Sequence, residues 1–228
     1  MLIRAARVFT GEETFAPGLV QVGGPGPGVD AERIAAVGPW PDGHLADIDL
    51  GDATLVPGYV DVHAHGGGGA SFGEDPDTVL ALHRSHGTTT MVASLVTQAL
   101  DVLQAQVRTL AARVEGGDLA GIHLEGPWLA PRYKGAHPPA RLRDPAPDEV
   151  ARLLDAGRGT VRMVTLAVER PGALESIRMM TARGVVAALG HSDCDLATAR
   201  AAIGAGVRGA THLFNAMPPL AHRAPGPV

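Results

Sequence analysis

The spacing of hydrophobic and polar positions along this chain changes near residue 50. Before that point, short apolar runs alternate with clusters of glycine, proline and acidic residues, which is typical of short strands joined by turns. The predicted strands are LIRAARVFT, LVQVGG and ERIAAVG, and the predicted loops are GEETFAPG and GGPGPGVD. We therefore expect residues 1–50 to form a small β unit with little core of its own.

From residue 54 onward, β-branched or apolar runs alternate with alanine- and leucine-rich stretches at helical spacing. The predicted strands are TLVPGYVDVHAH, TTTMVAS, AGIHLEG, VRMVTLAVE, GVVAALGH and GATHLFN. The predicted helices between them are DTVLALHRSH, ALDVLQAQVRTLAARV, DEVARLLDAG, ALESIRMMTARG and DLATARAAIGAG. This alternation predicts an α/β domain over residues 51–228 with a parallel sheet. Because a closed (β/α)8 barrel needs eight strands, the sheet is either open or an incomplete barrel.

Composition narrows the class of protein. The chain has 228 residues, 45% of them hydrophobic and 19% charged, which is ordinary for a soluble globular protein. A formal net charge of −5 argues against a nucleic-acid or anionic-membrane partner. The sequence contains neither an apolar run of about 20 residues nor the pattern of a signal peptide. The single cysteine, Cys194, excludes an internal disulfide, so we expect a cytoplasmic protein.

Side chains that bind metals stand at the ends of four predicted strands. They are His63 and His65 on the first strand, Glu125 on the third, His191 on the fifth and His212 on the sixth. The carboxyl ends of parallel strands meet at the side of an α/β sheet or barrel where ligands bind. Four such ends carrying histidine or glutamate therefore predict a metal site.

The residue types indicate which metal. The His-x-His pair places two imidazoles on one strand face, where both reach one cation. Glu125, facing them, can bridge to a second cation held by the other two histidines. Imidazole and carboxylate without thiolate suit zinc or a similar divalent ion in a catalytic role. His123 is expected to pack in the interior, and Cys194 to be a loop cysteine without a partner.

Four stretches resemble a known family. VPGYVDVHAHG resembles the first-strand signature of the amidohydrolase superfamily, and GIHLEGPWLAPRYKGAHPP, ALGHSD and ATHLFNAMPPL resemble the N-acetylglucosamine-6-phosphate deacetylase family within it. The resemblance implies a (β/α)8 TIM barrel of the metal-dependent hydrolase type, here incomplete with about six βα units. It also implies a small β-sandwich built from both chain ends, to which residues 1–50 would contribute. The implied reaction is hydrolysis of the acetamide of N-acetylglucosamine-6-phosphate to glucosamine-6-phosphate and acetate.

The resemblance also implies roles for single residues. The primary metal would be held by Glu125, His191 and His212, and a second ion by His63, His65 and Glu125. One or two divalent ions are expected, zinc first, with iron, cobalt or manganese as alternatives. Asp61 would orient the first strand. The residues implied to contact the substrate are His137, Asn215, Ala216 and Arg223. Arg223 resembles a phosphate-binding arginine that reaches the partner's site in a homodimer, and a guanidinium suits a phosphate.

The family's general base is an aspartate at the end of the eighth strand, which we expect beyond Val228. No catalytic residue is therefore assigned within the chain, and Asp193 and Asp195 are expected to cap the helix that follows them. Because two sheet edges would stay open, we expect residues 1–228 alone to be poorly stable and to show little deacetylase activity.

Three alternatives stay open at this point. One is another hydrolase or a deaminase of the amidohydrolase superfamily, for example a dihydroorotase-like enzyme. The second is a truncated, non-catalytic gene product. The third is an open-sheet binding protein, which does not explain four convergent strand ends.

Overall fold

The structure is a computed structural model that describes residues 1–24 and 32–228. Residues 25–30 of the predicted loop GGPGPGVD lie outside the described residues. The chain forms two compact units, Met1–Tyr59 and Val60–Val228. The division at residue 50, inferred from the sequence, stays a prediction.

In residues 1–24 and 32–59, the first unit forms two small sheets. Its strands are β1 (Leu2–Ala5), β2 (Arg7–Phe9), β3 (Thr14–Phe15), β4 (Gly18–Val22), β5 (Ile34–Pro39), β6 (Ile48–Asp49) and β7 (Thr54–Leu55). One sheet has the order β5-β4-β1-β6 and the other β3-β2-β7. Among the described residues of this unit, Ala5, Val8 and Val20 form the buried apolar cluster, which agrees with the expectation of a small core.

One predicted loop in this unit contains a strand. The stretch GEETFAPG includes β3, which pairs antiparallel with β2 through Val8 and Phe15. Thr10 donates its backbone N–H to Glu13, so a tight turn joins the two strands. The polar residues that indicated a loop belong to that turn.

The second unit holds a six-stranded sheet and five helices. The remaining strands are β8 (Tyr59–Ala64), β9 (Gly66–Gly67), β10 (Ala70–Ser71), β11 (Thr88–Leu95), β12 (Gly121–Glu125), β13 (Val161–Leu166), β14 (Val186–Leu189) and β15 (Gly209–Ala210). The helices are α1 (Pro76–Ser85), α2 (Leu100–Glu115), α3 (Pro147–Ala156), α4 (Ala173–Ala182) and α5 (Leu196–Ala205), and short 3₁₀ turns span Pro131–Tyr133 and Pro139–Arg141.

The large sheet follows the chain order, β8-β11-β12-β13-β14-β15, and β11 to β15 pair in parallel. It is a curled, incomplete barrel, so the predicted fold class is confirmed. A two-stranded sheet of β9 and β10 follows β8. In the described part of the chain, no helix has the length and apolar character that crossing a membrane would take.

Burial explains why β12 lies in the middle of this sheet. All five of its residues, GIHLE, are buried. The neighbouring helix α2 buries Leu103, Val107, Leu110 and Ala111, which recur at the spacing of one helix face. A strand covered on both faces needs apolar residues throughout, and β12 departs from that rule only at His123 and Glu125.

Several strands end earlier than the sequence predicts. The run TLVPGYVDVHAH is broken at Pro57 into β7 and β8. His191 and His212, which we expected within their strands, lie two residues beyond β14 and β15. Both have positive φ, 49° and 35°, and an extended strand cannot continue through that conformation. The two histidines therefore belong to turns.

Candidate metal centre

Glu125 is the centre of a cluster of histidines at the carboxyl ends of the strands. It is the last residue of β12 and is only 3% exposed. Five imidazoles have a ring nitrogen within 4.0 Å of its carboxylate, and they belong to His63, His65, His137, His191 and His212. All the metal ligands predicted from sequence are thus brought together.

The side of the carboxylate that carries Oε1 faces His191 and His212. Their Nε2 atoms lie 3.3 and 3.4 Å from Oε1 and 3.0 Å from each other. The other ring nitrogens are engaged by backbone carbonyls: Nδ1 of His191 by Tyr133 at 2.7 Å and Nδ1 of His212 by Asn215 at 3.1 Å. A carbonyl only accepts, so in the neutral imidazole the proton lies on Nδ1 and Nε2 carries a lone pair.

Three lone pairs therefore converge on one small region. Oε1 of Glu125 is buried and has no hydrogen-bond partner among the described residues. Such a group costs about 1–3 kcal/mol unless something satisfies it. The donor atoms of a tetrahedral site with metal–ligand distances near 2.1 Å lie about 3.4 Å apart. The observed separations of 3.0–3.4 Å match that spacing, so this group fits a divalent cation.

The opposite oxygen, Oε2, faces His63 and His65. The Nε2 atoms lie 3.6 and 2.8 Å from Oε2 and 3.1 Å from each other. Nδ1 of His65 contacts the carbonyl of Ser94 at 3.2 Å. The hydrogen bond to Glu125 is the main reason that the pKa of His65 is raised. This group is geometrically suited to a cation too, but an imidazolium–carboxylate pair also accounts for it.

The environment keeps Glu125 ionised. Burial alone would raise the pKa of Glu125, but hydrogen bonding from the surrounding imidazoles, His137 foremost, outweighs burial and holds the pKa well below its usual range. His123 differs from the cluster in that burial lowers its pKa to about 3. Its ring nitrogens contact the hydroxyls of Ser94 and Thr165 at 2.9 and 2.7 Å. His123 thus packs in the interior, as expected.

His137 approaches Glu125 from the loop after β12. It is 6% exposed, and its Nε2 lies 3.6 Å from Oε2. Its Nδ1 accepts the backbone N–H of Thr97 at 3.3 Å and contacts the Thr97 hydroxyl at 2.8 Å. Because Nδ1 accepts, the proton of neutral His137 lies on Nε2 and points into the cluster. Thr97 was missed by the sequence analysis, since only its position after β11 places it near the strand ends.

The other predicted site residues lie around this cluster. Asp61 accepts the backbone N–H of His63 at 3.0 Å, so it fixes the β8 backbone next to that ligand. Asn215 is exposed, and its carbonyl orients His212. Ala216 is half-buried with a φ of 53°. Arg223 is exposed and lines a cavity of about 570 Å³ with Arg200, Cys194 and Asp193.

The expectation for the two aspartates after His191 is partly wrong. Asp195 is the N-cap of α5 and accepts the backbone N–H of Thr198. Asp193 does not cap the helix. Its carboxylate contacts Arg132 at 3.4 Å instead. Cys194 between them is buried, and burial raises the pKa of its thiol.

Comparison with known proteins adds the family. The profile of the amidohydrolase family matches residues 54–224. The chain belongs to the amidohydrolase family. Within that family, the N-acetylglucosamine-6-phosphate deacetylase of Bos taurus is 40% identical over 192 residues, which are 79% of this chain and 47% of the relative. The N-acetylgalactosamine-6-phosphate deacetylase of Escherichia coli O157:H7 is 37% identical over 204 residues, 86% of this chain and 53% of the relative.

Solved structures of N-acetylglucosamine-6-phosphate deacetylases are also similar to this chain. The N-acetyl-D-glucosamine-6-phosphate deacetylase of Mycobacterium smegmatis has a TM-score of 0.92 and 50% identity, covering 100% of this chain and 59% of that one. A mutant of the same enzyme in complex with N-acetyl-D-glucosamine-6-phosphate gives the same values. The chain thus resembles the N-terminal part of such deacetylases and spans about half the length of the curated relatives it matches. Family membership and the histidine–glutamate cluster together indicate a divalent metal.

Proposed function

We propose that this chain carries the metal-binding part of an N-acetylglucosamine-6-phosphate deacetylase, which releases acetate and glucosamine-6-phosphate. The observation that carries the proposal is the orphaned Oε1 of Glu125, which faces two imidazole nitrogens that have no proton to offer. The names of the similar enzymes support the choice of an N-acetylated amino-sugar phosphate.

The primary ion is assigned to Glu125, His191 and His212, and a second ion to His63, His65 and Glu125. Zinc is the first choice because three-ligand sites of histidine and carboxylate are typical of catalytic zinc. Iron, cobalt and manganese are the alternatives. The side containing Oε1 is expected to bind an ion first. On the other side, His65 and the Glu125 carboxylate pair with each other when no metal is bound, and an ion has to displace that pairing.

The chemistry divides between the ion and the side chains. When bound, a divalent ion makes a coordinated water more acidic and polarises an amide carbonyl. Glu125 stays ionised and holds the site together, while the carbonyls of Tyr133 and Asn215 keep the Nε2 atoms of their histidines free of protons. His137 presents its Nε2–H toward the same region and is assigned to bind a polar group of the substrate. No proton-transfer residue is assigned within the chain.

The remaining assignments concern substrate and assembly. Asn215 and Ala216 are assigned to the sugar-phosphate pocket and Arg223 to the phosphate. A homodimer and a cytoplasmic location stay predictions of the family resemblance and of the sequence. Light scattering coupled to size exclusion tests the dimer.

Metal binding tests the central claim. We expect the purified 228-residue chain, loaded with zinc, to retain one or two ions after gel filtration, as measured by mass spectrometry of the metal. Glu125→Gln should lose them. Glu149→Gln is the matched control, because Glu149 is also a buried glutamate but contacts Trp128 and Arg143. A wild-type chain without metal, or a Glu125→Gln chain that keeps it, would refute the proposal.

Substrate preference tests the class of reaction. Calorimetric titration of the zinc-loaded chain should give tighter binding of N-acetylglucosamine-6-phosphate than of unphosphorylated N-acetylglucosamine, with acetate release followed alongside. N-Acetylgalactosamine-6-phosphate serves as a third ligand, because one relative carries that name. Equal binding with and without the phosphate would instead favour another hydrolase or a deaminase of the amidohydrolase family.

A further inference from the structure

Four buried polar side chains form a row that crosses the sheet beneath the histidine cluster. Ser94 lies on β11, His123 on β12 and Thr165 on β13, and Thr211 follows β15 directly. They are 2%, 0%, 0% and 4% exposed. Buried polar groups of this kind require partners, and here each one provides the next with a partner.

The contacts are short and continuous. The Ser94 hydroxyl lies 2.9 Å from Nδ1 of His123, whose Nε2 lies 2.7 Å from the Thr165 hydroxyl. The Thr165 hydroxyl in turn lies 2.6 Å from that of Thr211. All three contacts are satisfied when Ser94 donates to Nδ1 of His123, His123 donates from Nε2 to Thr165, and Thr165 donates to Thr211. The same contacts are satisfied when all three donations run in the opposite direction.

Thr165 and Thr211 meet across the intervening strand β14 because Gly190 has no side chain. A Cβ on Gly190 would lie 2.7 Å from Cγ2 of Thr165 and 2.9 Å from Cβ of Thr211. Real Cβ atoms are not found that close to other atoms, so alanine at this position would force the two threonines apart.

Each of these four buried polar residues lies next to a proposed metal ligand. The Ser94 carbonyl contacts Nδ1 of His65 at 3.2 Å. His123 lies two residues before Glu125 on the same face of β12, and its ring packs edge-on against that of His63 with the centroids 4.8 Å apart. Thr165 is the β-ladder partner of Glu125. Thr211 immediately precedes His212.

We propose that Ser94, His123, Thr165 and Thr211 act as positioning residues, a buried hydrogen-bonded layer that fixes the spacing of the strand ends and therefore of the metal ligands above it. This inference deepens the proposed metal-binding function and rests on it. None of the four is assigned to the metal or the substrate. They act by preventing the strand ends that carry His65, Glu125 and His212 from shifting relative to one another.

The test uses Thr165→Val in the 228-residue chain, a nearly isosteric change that removes only the central hydroxyl. Thr165→Ser keeps the hydroxyl and serves as the rescue variant. The matched control is Thr160→Val, because Thr160 is also a buried threonine beside β13, and its hydroxyl donates to the Gly157 carbonyl at 2.6 Å.

Zinc affinity, measured by competition with a chromophoric chelator, should fall about 10-fold in Thr165→Val. This is the lower end of the range for losing a residue hydrogen-bonded to a metal ligand, because Thr165 contacts His123 and Thr211 rather than a ligand. Thr165→Ser should bind zinc as the wild type does. Thr160→Val should also keep its zinc affinity, even if it melts at a lower temperature. Unchanged zinc affinity in Thr165→Val, or an equal loss in Thr160→Val, would overturn the inference.

A second measurement separates this inference from the proposed function. Nitrogen-15 NMR of the imidazole rings, recorded without metal, should show shifted signals for His65 and His212 in Thr165→Val but not in Thr160→Val. A wild-type chain that binds no zinc would count against the proposed function, and the ring signals would still decide the inference. Ring signals that respond equally to both valine variants would refute it.

Discussion

Glu169 fixes the turn that carries His191, and its removal is expected to weaken metal binding. Its carboxylate accepts the Ser192 hydroxyl at one oxygen and the backbone N–H of Asp193 at the other. His191, which precedes Ser192 in this turn, has a φ of 49°, a conformation that residues other than glycine rarely adopt. The two hydrogen bonds thus constrain the segment that aims His191 at Glu125.

The magnitude follows from the number of hydrogen bonds. A hydrogen bond to a charged group contributes roughly 1.5–3 kcal/mol. Glu169→Gln keeps one acceptor oxygen and turns an NH₂ group toward the other donor, so one hydrogen bond is lost. The left-handed conformation of His191 costs about 1–3 kcal/mol because His191 is not a glycine. The free energy of the lost hydrogen bond is of the same size, so its loss is enough to release that conformation. If the free energy of this hydrogen bond is lost entirely from the placement of His191 as a metal ligand, zinc affinity falls about 10- to 100-fold.

The assay is competition for zinc against a chromophoric chelator, with thermal melting of the metal-free chain alongside. Glu115→Gln is the control, because Glu115 also uses both carboxylate oxygens but accepts from Arg158 at an exposed position away from the histidines. The reasoning is refuted if Glu169→Gln binds zinc within about twofold of the wild type, a difference of ~0.4 kcal/mol.

Four further outcomes are expected. Gly190→Ala should lower the free energy of unfolding, whereas Gly204→Ala in α5, where a Cβ meets nothing within 4 Å, should raise it by about 0.5–1 kcal/mol in chemical denaturation. The pKa of Asp118 is lowered from 3.8, chiefly by Arg113, so its pairing contributes stability above that pH that is lost as the pH falls through the lowered pKa. Asp118→Asn should therefore lower the melting temperature at pH 7, and the difference from wild type should vanish in strong acid. Adding EDTA to the zinc-loaded chain should lower its melting temperature, because a ligand at 100 times its Kd adds about 2.7 kcal/mol to the free energy of unfolding. Val60→Lys should reduce light scattering on concentration, because Val60 is 66% exposed on β8, an edge of the large sheet; unchanged scattering would show that this edge does not drive association.

The sequence predicted most of the second unit because its signals are local. The alternation of apolar runs located all six strands of the large sheet, and the period of 3.6 located α1 to α5. Glu125 at the end of a fully apolar run stood out for the same reason. The turns were harder, because the positive φ of His191 and His212 has no local signature in those residue types.

The buried layer under the cluster could not be predicted in the same way. The contact of Thr165 with Thr211 requires three strands in register and a missing Cβ on the middle one. In the sequence, Gly190 resembles any glycine in a turn after a strand, and nothing local indicates that two threonines meet beside it. The two-residue strand β3 was missed because it is shorter than any periodic pattern. Long-range pairing determines such features, and only the fold brings the partners together.

The shared position of Glu125 couples the binding of one ion to the binding of the other. Its two oxygens face different pairs of histidines, but the carboxylate carries a single negative charge. A cation on one side draws on the charge that the other side needs, and the two cations repel each other. The two binding steps are therefore thermodynamically linked: the first ion weakens the second, and by reciprocity the second weakens the first by the same factor. We therefore expect two separate steps in a zinc titration, the second weakened both by this coupling and by the imidazolium–carboxylate pair on the Oε2 side.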